Sequence, residues 1–347
     1  MKLTNILSCR DFETNPNYHL IYEWEEDVAA GLGVPIVKAK PLPRRMAINR
    51  YTKKVINLLG ENALEKLNNA VSAATMAAAG GGGQSLIFEL YVGTEPDFAN
   101  AGTVIPLMVD FWKHTSLPAF YKTYRNCPLV LISSLEAFEF LKASNCPLPI
   151  EHWGLSLSDR YRLAPDVRYP KRYDILLAGR LNVRTNQVLR DYLEAFISRY
   201  PEVEYLYQQE IAGEYYYVSN KRGTVGKFQT RAAYVDLLRA SKISFYSTPG
   251  LDGGEKRTGG FNPVTPRYLE LLSAQCLLLG KYPDNAETNF YELSRVCPNI
   301  ASYEEFERTM LDYLNQEAPS FEAHRQILAK HYTSCRARQL LEILKRY

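Results

Sequence analysis

Hydrophobic positions recur along this chain in two rhythms. Short, nearly continuous apolar runs stand at residues 3–8, 86–92 (LIFELYV), 104–111 and 129–133, the signature of strands buried on both faces. Between them, residues 22–32 and 57–79 have helical composition. Residues 135–142 (LEAFEFLK) have helical spacing and follow Ser133 and Ser134, which suit an N-cap. The pattern is that of a doubly wound α/β domain.

A polar, basic, proline-interrupted stretch at 159–172 (DRYRLAPDVRYPKR) follows, with the composition of an exposed linker. A second alternating series then begins. Strands are expected at 173–178, 203–207, 242–246 and 276–279, and helices at 186–200, 231–240, 266–274 and 303–314. No sequence repeat relates the two halves, so their likeness is architectural. The last segment, 324–347, carries Ile327, Leu328, His331, Leu340, Leu341 and Leu344 at mixed three and four spacing, an amphipathic helical stretch able to cross back onto the first domain. The expected organisation is therefore α/β: a Rossmann-like domain over 1–165, a second over 166–323, and a crossing helix over 324–347.

Composition agrees with this division. The 347 residues are 46% hydrophobic and 23% charged, enough apolar surface for two cores. No apolar run approaches a membrane span and residues 1–10 lack a signal-peptide block, so the cytoplasm is expected, with peripheral attachment to the inner membrane face left open. The six cysteines form no Cys-x-x-Cys pair and read as free thiols. A net charge of +3 is too weak to imply a dedicated nucleic-acid binder, but it conceals local surpluses. Residues 160–184 hold seven basic against two acidic residues, 220–260 eight against three, and 324–347 six against one. Tyrosine is abundant, 25 against 14 phenylalanines, which favours half-wet surfaces.

The glycine motifs sort by context. The run Gly80 to Gly83 follows a helical segment and precedes a strand, the reverse of a phosphate loop, and reads as a turn. Gly31-Leu-Gly33 lacks the third glycine of a dinucleotide fingerprint. Two other stretches fall where a strand leads into a helix, the place where open α/β sheets bind ligands. In the first, Gly179 lets the backbone turn while Arg180 and Arg184 can offer forked donors to phosphate oxygens. The second runs from Gly250 to Glu270, a glycine-rich loop bearing Lys256, Arg257 and Asn262 and ending in Thr265 as N-cap, Pro266 at the first helical position and Arg267 just inside. Helix amides there suit an anion, and Glu270, on the face of Pro266, can accept hydrogen bonds from a diol beside it.

These motifs in order, AGRLNVRTN, GFNPVTPRYLELLSAQCLLLG and ILAKHYTSCRARQLLEIL, resemble the C-terminal half of GT-B glycosyltransferases of the family 1 and 4 kind, and most of all the spore-maturation-protein-like group. The resemblance covers about residues 174–344. It implies two Rossmann-like domains facing across a cleft, a nucleotide-diphosphate sugar held by the C-terminal domain, Gly179 and Arg180 at the diphosphate with Arg184 near the second cation, and Glu270 on the ribose hydroxyls. Related retaining enzymes carry a further glutamate eight positions before that one, where this chain has Asn262. The implied activity is transfer of a sugar to a glycan or lipid-linked glycan.

Such chemistry needs stabilisation of a leaving diphosphate, which arginines and helix amides can supply. No Asp-x-Asp motif is present, so neither metal nor cofactor is expected. An inverting enzyme also needs a base on the acceptor side, for which Asp11, Asp110 and His114 stand at strand ends. Two alternatives stay open: a nucleotide-sugar epimerase on the same architecture, and a non-catalytic protein that holds nucleic acid or an anionic membrane through its basic stretches. Under the leading reading no nucleic-acid partner is expected.

Overall fold

The structure, a computed structural model, describes residues 1–11, 18–38, 83–92, 103–180, 186–251 and 254–347. The helix expected over 57–79, the glycines at 80–82 and Arg184 lie outside these residues. The described residues group into two compact units. One holds Met1–Phe111, Thr115–Gly154 and Arg336–Tyr347, the other Trp112–His114 and Leu155–Cys335.

The first unit is built on a six-stranded sheet of β1 (Leu3–Ser8), β2 (Ile36–Lys38), β3 (Gln84–Tyr91), β4 (Val104–Asp110), β5 (Val130–Ile132) and β6 (Ile150–His152) in the order β2-β1-β3-β4-β5-β6, with every pairing parallel. Parallel strands are covered on both faces, which is why β4 reads as unbroken apolar residues with the first six buried. Helix α1 (Tyr18–Leu32) buries Tyr18, Ile21, Trp24 and Val28, a stripe at helical spacing. Its Trp24 ring stacks 6.1 Å from Phe88, which meets Trp153 edge-on at 5.9 Å. Ser134 caps α3 (Leu135–Ala143), its hydroxyl accepting from the Ala137 amide at 3.2 Å. The short strands β2 and β6 and helix α2 (Leu117–Tyr124) add to the expected elements.

The second unit contains β7 (Tyr173–Arg180), α4 (Gln187–Arg199), β8 (Tyr205–Ile211), β9 (Glu214–Ser219), β10 (Gly223–Gly226), α5 (Arg231–Arg239), β11 (Ser241–Ser247), α6 (Glu255–Thr258), α7 (Pro266–Ser273), β12 (Leu277–Lys281), α8 (Ala286–Phe290), α9 (Tyr303–Asn315) and α10 (Glu322–His331). Its sheet runs β10-β9-β8-β7-β11-β12. The four strands β8, β7, β11 and β12 are parallel, whereas β8, β9 and β10 form an antiparallel meander. That meander is a departure from the expected alternation, in which nothing follows the strand at 203–207 before the next helix. Its first turn is two residues long, Ala212 and Gly213 at φ 53° and 80°, and brings Ile211 opposite Glu214. Two left-handed residues match the twist of a hairpin.

Two boundaries differ from the expected ones. The units part at Gly154 rather than near 165, because residues 155–163 belong to the second core. There Leu157 and Leu163 are buried, the Leu163 amide donates to the Tyr332 hydroxyl at 2.9 Å, and Asp159 accepts from the Ser334 amide and hydroxyl at 2.7 and 2.8 Å. The segment 324–347 is two helices, α10 and α11 (Thr333–Lys345), separated by Tyr332 in extended conformation. The break lets the Leu157 amide donate to the His331 carbonyl and the Thr333 amide donate to the Leu157 carbonyl, each at 2.9 Å. From Arg336 onward the chain belongs to the first unit, where the Trp153 indole donates to the Arg336 carbonyl and Arg336 Nε donates to the Gly154 carbonyl, both at 2.8 Å.

Candidate functional site

Within the second unit, contacts join the carboxyl ends of β7 and β11 to the amino ends of α5 and α7, and of the sequence-predicted ligand residues Gly179, Thr265, Arg267 and Glu270 take part in them. Gly179, the penultimate residue of β7, has φ +113°, a conformation that L side chains rarely adopt. A Cβ at this position would overlap Arg267 Nη1. The glycine thereby admits the Arg267 guanidinium, whose Nη1 donates to the Ala178 carbonyl at 2.9 Å.

Helices α5 and α7 each present a pair of polar residues one turn apart, Arg231 with Tyr234 and Arg267 with Glu270. Arg231 Nη1 lies 2.6 Å from Glu270 Oε1, and the glutamate side chain is 7% exposed. The Tyr234 hydroxyl is buried beside the Arg267 guanidinium without completing a well-aligned hydrogen bond, and Arg267 Nε is buried with no acceptor among the described residues. The electrostatics of Tyr234, then of Tyr217 on β9 and of Glu270, hold the Arg267 guanidinium above its ordinary value against the opposing effect of burial. Burial pushes the Tyr217 phenol up. The result is a buried, fixed positive charge with an unsaturated donor and a carboxylate one helical turn away.

The loop between β11 and α7 is braced from within. Thr248 donates to Asn262 Oδ1 at 2.7 Å, and Asn262 Nδ2 donates to the Gly260 carbonyl at 2.9 Å. Both polar ends of the Asn262 amide are thus engaged by the loop itself. Thr265 holds the extended conformation of an N-cap at the start of α7, but its hydroxyl makes no bond to the helix amides. Its amide instead donates to the Tyr246 hydroxyl at 2.9 Å. Lys256 and Arg257 are exposed on the single turn of α6, and the Arg257 guanidinium sits over the Trp112 ring, 5.6 Å from its centroid. Arg180 closes β7 opposite Gln208.

The three candidate bases are carried by different segments. Asp11 is exposed and pairs with Lys38 at 3.0 Å. Asp110 ends β4, in register with Tyr91. His114, expected beside Asp110, groups with the second unit, because the Lys113 amide donates to the Thr258 carbonyl at 3.0 Å and Trp112 packs under Arg257. Among the described residues no three His, Cys, Asp or Glu side chains cluster as metal ligands, and no helix is long and apolar enough to cross a membrane.

Sequence reasoning missed Arg231, Tyr234 and Tyr217. The first two carry a readable signal, a cation and a phenol at i and i+3 in the first turn of a helix that Thr230 caps. Tyr217 carries none, since its place depends on the unexpected hairpin.

No protein-family model and no curated protein matches the sequence, so the finer likeness to the spore-maturation-protein-like group rests on the motifs alone. Solved structures do match. The chain superposes on sucrose-phosphate synthase from Thermosynechococcus elongatus with a TM-score of 0.55 at 10% identity, over 100% of this chain and 99% of that one. An alpha,alpha-trehalose-phosphate synthase (UDP-forming) from Burkholderia xenovorans gives 0.52 at 12% identity, over 81% and 76%. A GtfA/B complex gives 0.50 at 11% identity over 82% of this chain, which spans only 60% of that one. At such identities the likeness speaks for architecture, and with the two parallel-dominated sheets it establishes that the chain has the two-domain GT-B glycosyltransferase fold.

Proposed function

We propose that this chain transfers a sugar from a nucleotide-diphosphate sugar to a glycan or lipid-linked glycan without a metal. The observation that carries the reading is the Gly179 turn seated on Arg267, one helical turn from the Arg231–Glu270 pair. A diphosphate at this turn meets the positive end of α7 and the Arg267 guanidinium, with Arg180, Arg184, Lys256 and Arg257 as further cations. Arg231 holds one oxygen of Glu270, and the other is available to the ribose diol. As the glycosidic bond to the diphosphate breaks, negative charge gathers on the leaving phosphate, where a fixed guanidinium and helix amides are already aimed. That supply of cations is the ground for metal independence. The acceptor base is chosen from Asp11, Asp110 and His114.

The names of the two synthase neighbours, one of them UDP-forming, support a nucleotide-sugar donor. The reading places the enzyme in the cytoplasm, with the basic tail available to an anionic membrane face.

Incubation with UDP-, GDP-, ADP- and CDP-sugars, with and without a pool of glycan and lipid-linked acceptors, tests the reading. Release of nucleoside diphosphate that requires acceptor and persists in EDTA is expected. An isomerised sugar nucleotide formed without acceptor, or turnover abolished by EDTA, would contradict it.

A further inference from the structure

The second unit has a cavity that the donor-site reading leaves unused. About 560 Å³ in volume, it opens at the amino ends of β7, β11 and β12, the edge of the sheet opposite the candidate site. Its size falls within the roughly 300–1,000 Å³ of small-molecule pockets. Four cations line it, Arg168, Lys171, Arg172 and Lys242, with Tyr173 and Phe321 among the apolar walls. Two carboxylates also line it. Asp174 is committed to the Glu204 amide at 2.9 Å, and Glu317 is exposed.

None of the four cations forms an ion pair with a carboxylate among the described residues. Lys171 Nζ donates to the carbonyls of Arg239 and Ala274 at 3.0 and 2.8 Å, Lys242 Nζ to that of Leu314 at 2.7 Å, and Arg168 Nη1 to those of Pro165 and Val167 at 3.4 and 3.1 Å. Arg168 bonds only to the turn it belongs to, and capping of helix C-termini accounts for the bonds of the two lysines. It leaves spare donors: an ammonium has three, of which Lys171 uses two and Lys242 one, and the Arg172 guanidinium has no acceptor among the described residues. Positive charge that neutral carbonyls solvate only in part is completed by an anion.

We propose that this cavity is a second ligand site for a small phosphorylated metabolite, its phosphoryl dianion held by Lys171, Arg172 and Lys242 and its body lying against Tyr173 and Phe321. Burial lowers the Lys171 ammonium from its ordinary value, the cost that a bound dianion would relieve. Position gives the site a further consequence. Arg239 and Ala274 end α5 and α7, the helices whose first turns carry Arg231, Tyr234, Arg267 and Glu270. An anion that draws Lys171 toward the cavity therefore loosens both helix ends at once, coupling its binding to the candidate donor site.

Calorimetric titration of the full chain with inorganic phosphate and with glycerol 3-phosphate tests the site. Wild type should bind at least one, Arg172→Gln/Lys242→Gln should bind it at least tenfold more weakly, and Lys330→Gln, an exposed cation paired with Glu292 and outside both sites, should change it less than twofold. Should the double variant fail to fold, Arg172→Gln alone, at an exposed position, should weaken binding at least threefold. No binding by wild type, equal binding by the amino-edge variants, or an equal loss in Lys330→Gln would overturn the proposal. Amide exchange at the last turns of α5 and α7 should change on saturation with phosphate, and unchanged exchange there would overturn the coupling.

Discussion

Replacing Gly179 by alanine strikes two supports of the candidate site at once. The residue sits at φ +113°, where an L side chain costs about 1–2 kcal/mol in backbone strain. The new methyl also occupies the place of Arg267 Nη1 and forces it off the Ala178 carbonyl, a charge-assisted bond worth about 1.5–3 kcal/mol. Gly179→Ala should therefore destabilise the chain by about 2.5–5 kcal/mol, as the sum of the two effects. A double-mutant cycle in urea separates them. In an Arg267→Met background the clash and the hydrogen bond are both gone, so Gly179→Ala should cost only its backbone share. A coupling energy near 2 kcal/mol is expected, well above the roughly 0.5 kcal/mol within which independent sites add. Additive costs would refute the claim that Gly179 is glycine in order to seat Arg267.

Further outcomes follow from the same geometry. Arg231→Gln removes the ion-pair partner of the 7%-exposed Glu270 carboxylate and leaves it the Arg267 charge alone, so it should cost about 2 kcal/mol, below the 3–5 kcal/mol of a fully buried pair, because Arg267 remains and Arg231 is 18% exposed. Urea midpoints read this, and Arg231→Gln/Glu270→Gln should recover most of the loss. Asn262→Ala removes the acceptor of the fully buried Thr248 hydroxyl and a donor to Gly260, and should lower stability by about 2 kcal/mol in thermal denaturation. His324, buried with its Nε2 on the Cys276 carbonyl, is lowered to about 4, chiefly by burial. Because its folded value lies below the unfolded one, stability is present above pH 6.5 and lost as pH falls toward 4, about 1.4 kcal/mol by pH 5.5. His324→Gln should flatten the urea midpoint over that window. Glu25, raised to about 7 by burial, acts in the opposite sense, favouring the folded state as pH falls from 7 to 4.5, so Glu25→Gln should steepen the acid loss.

How far the sequence could be read depended on the range of the interaction. The doubly wound rhythm was legible because buried parallel strands favour apolar runs, which β4 has over six residues (VIPLMV) and β7 over four (ILLA), while β1 is broken by Thr4 and Asn5. Local chemistry was legible too: Thr265-Pro266 starts α7, and Gly179 takes the conformation its strand-to-helix position implies. The meander was not, because its turn uses Ala212 with Gly213 rather than the Asn-Gly or Asp-Gly that marks such hairpins. With it went Tyr217. The Arg231–Glu270 pair was hidden because periodicity cannot report which two helices abut. The 159–172 stretch looked like a linker from its charge, while a few buried residues such as Leu163 decided its allegiance.

The central claim is that a nucleoside diphosphate binds at Gly179, Arg267 and Glu270 in the second unit. Calorimetric titration of UDP, GDP, ADP and CDP against wild type and Glu270→Ala tests it most directly. The account predicts that at least one binds wild type and that Glu270→Ala weakens it at least tenfold, the loss of the ribose hydrogen bonds. Equal affinity of the two proteins for every nucleotide, or no binding by wild type, would contradict it.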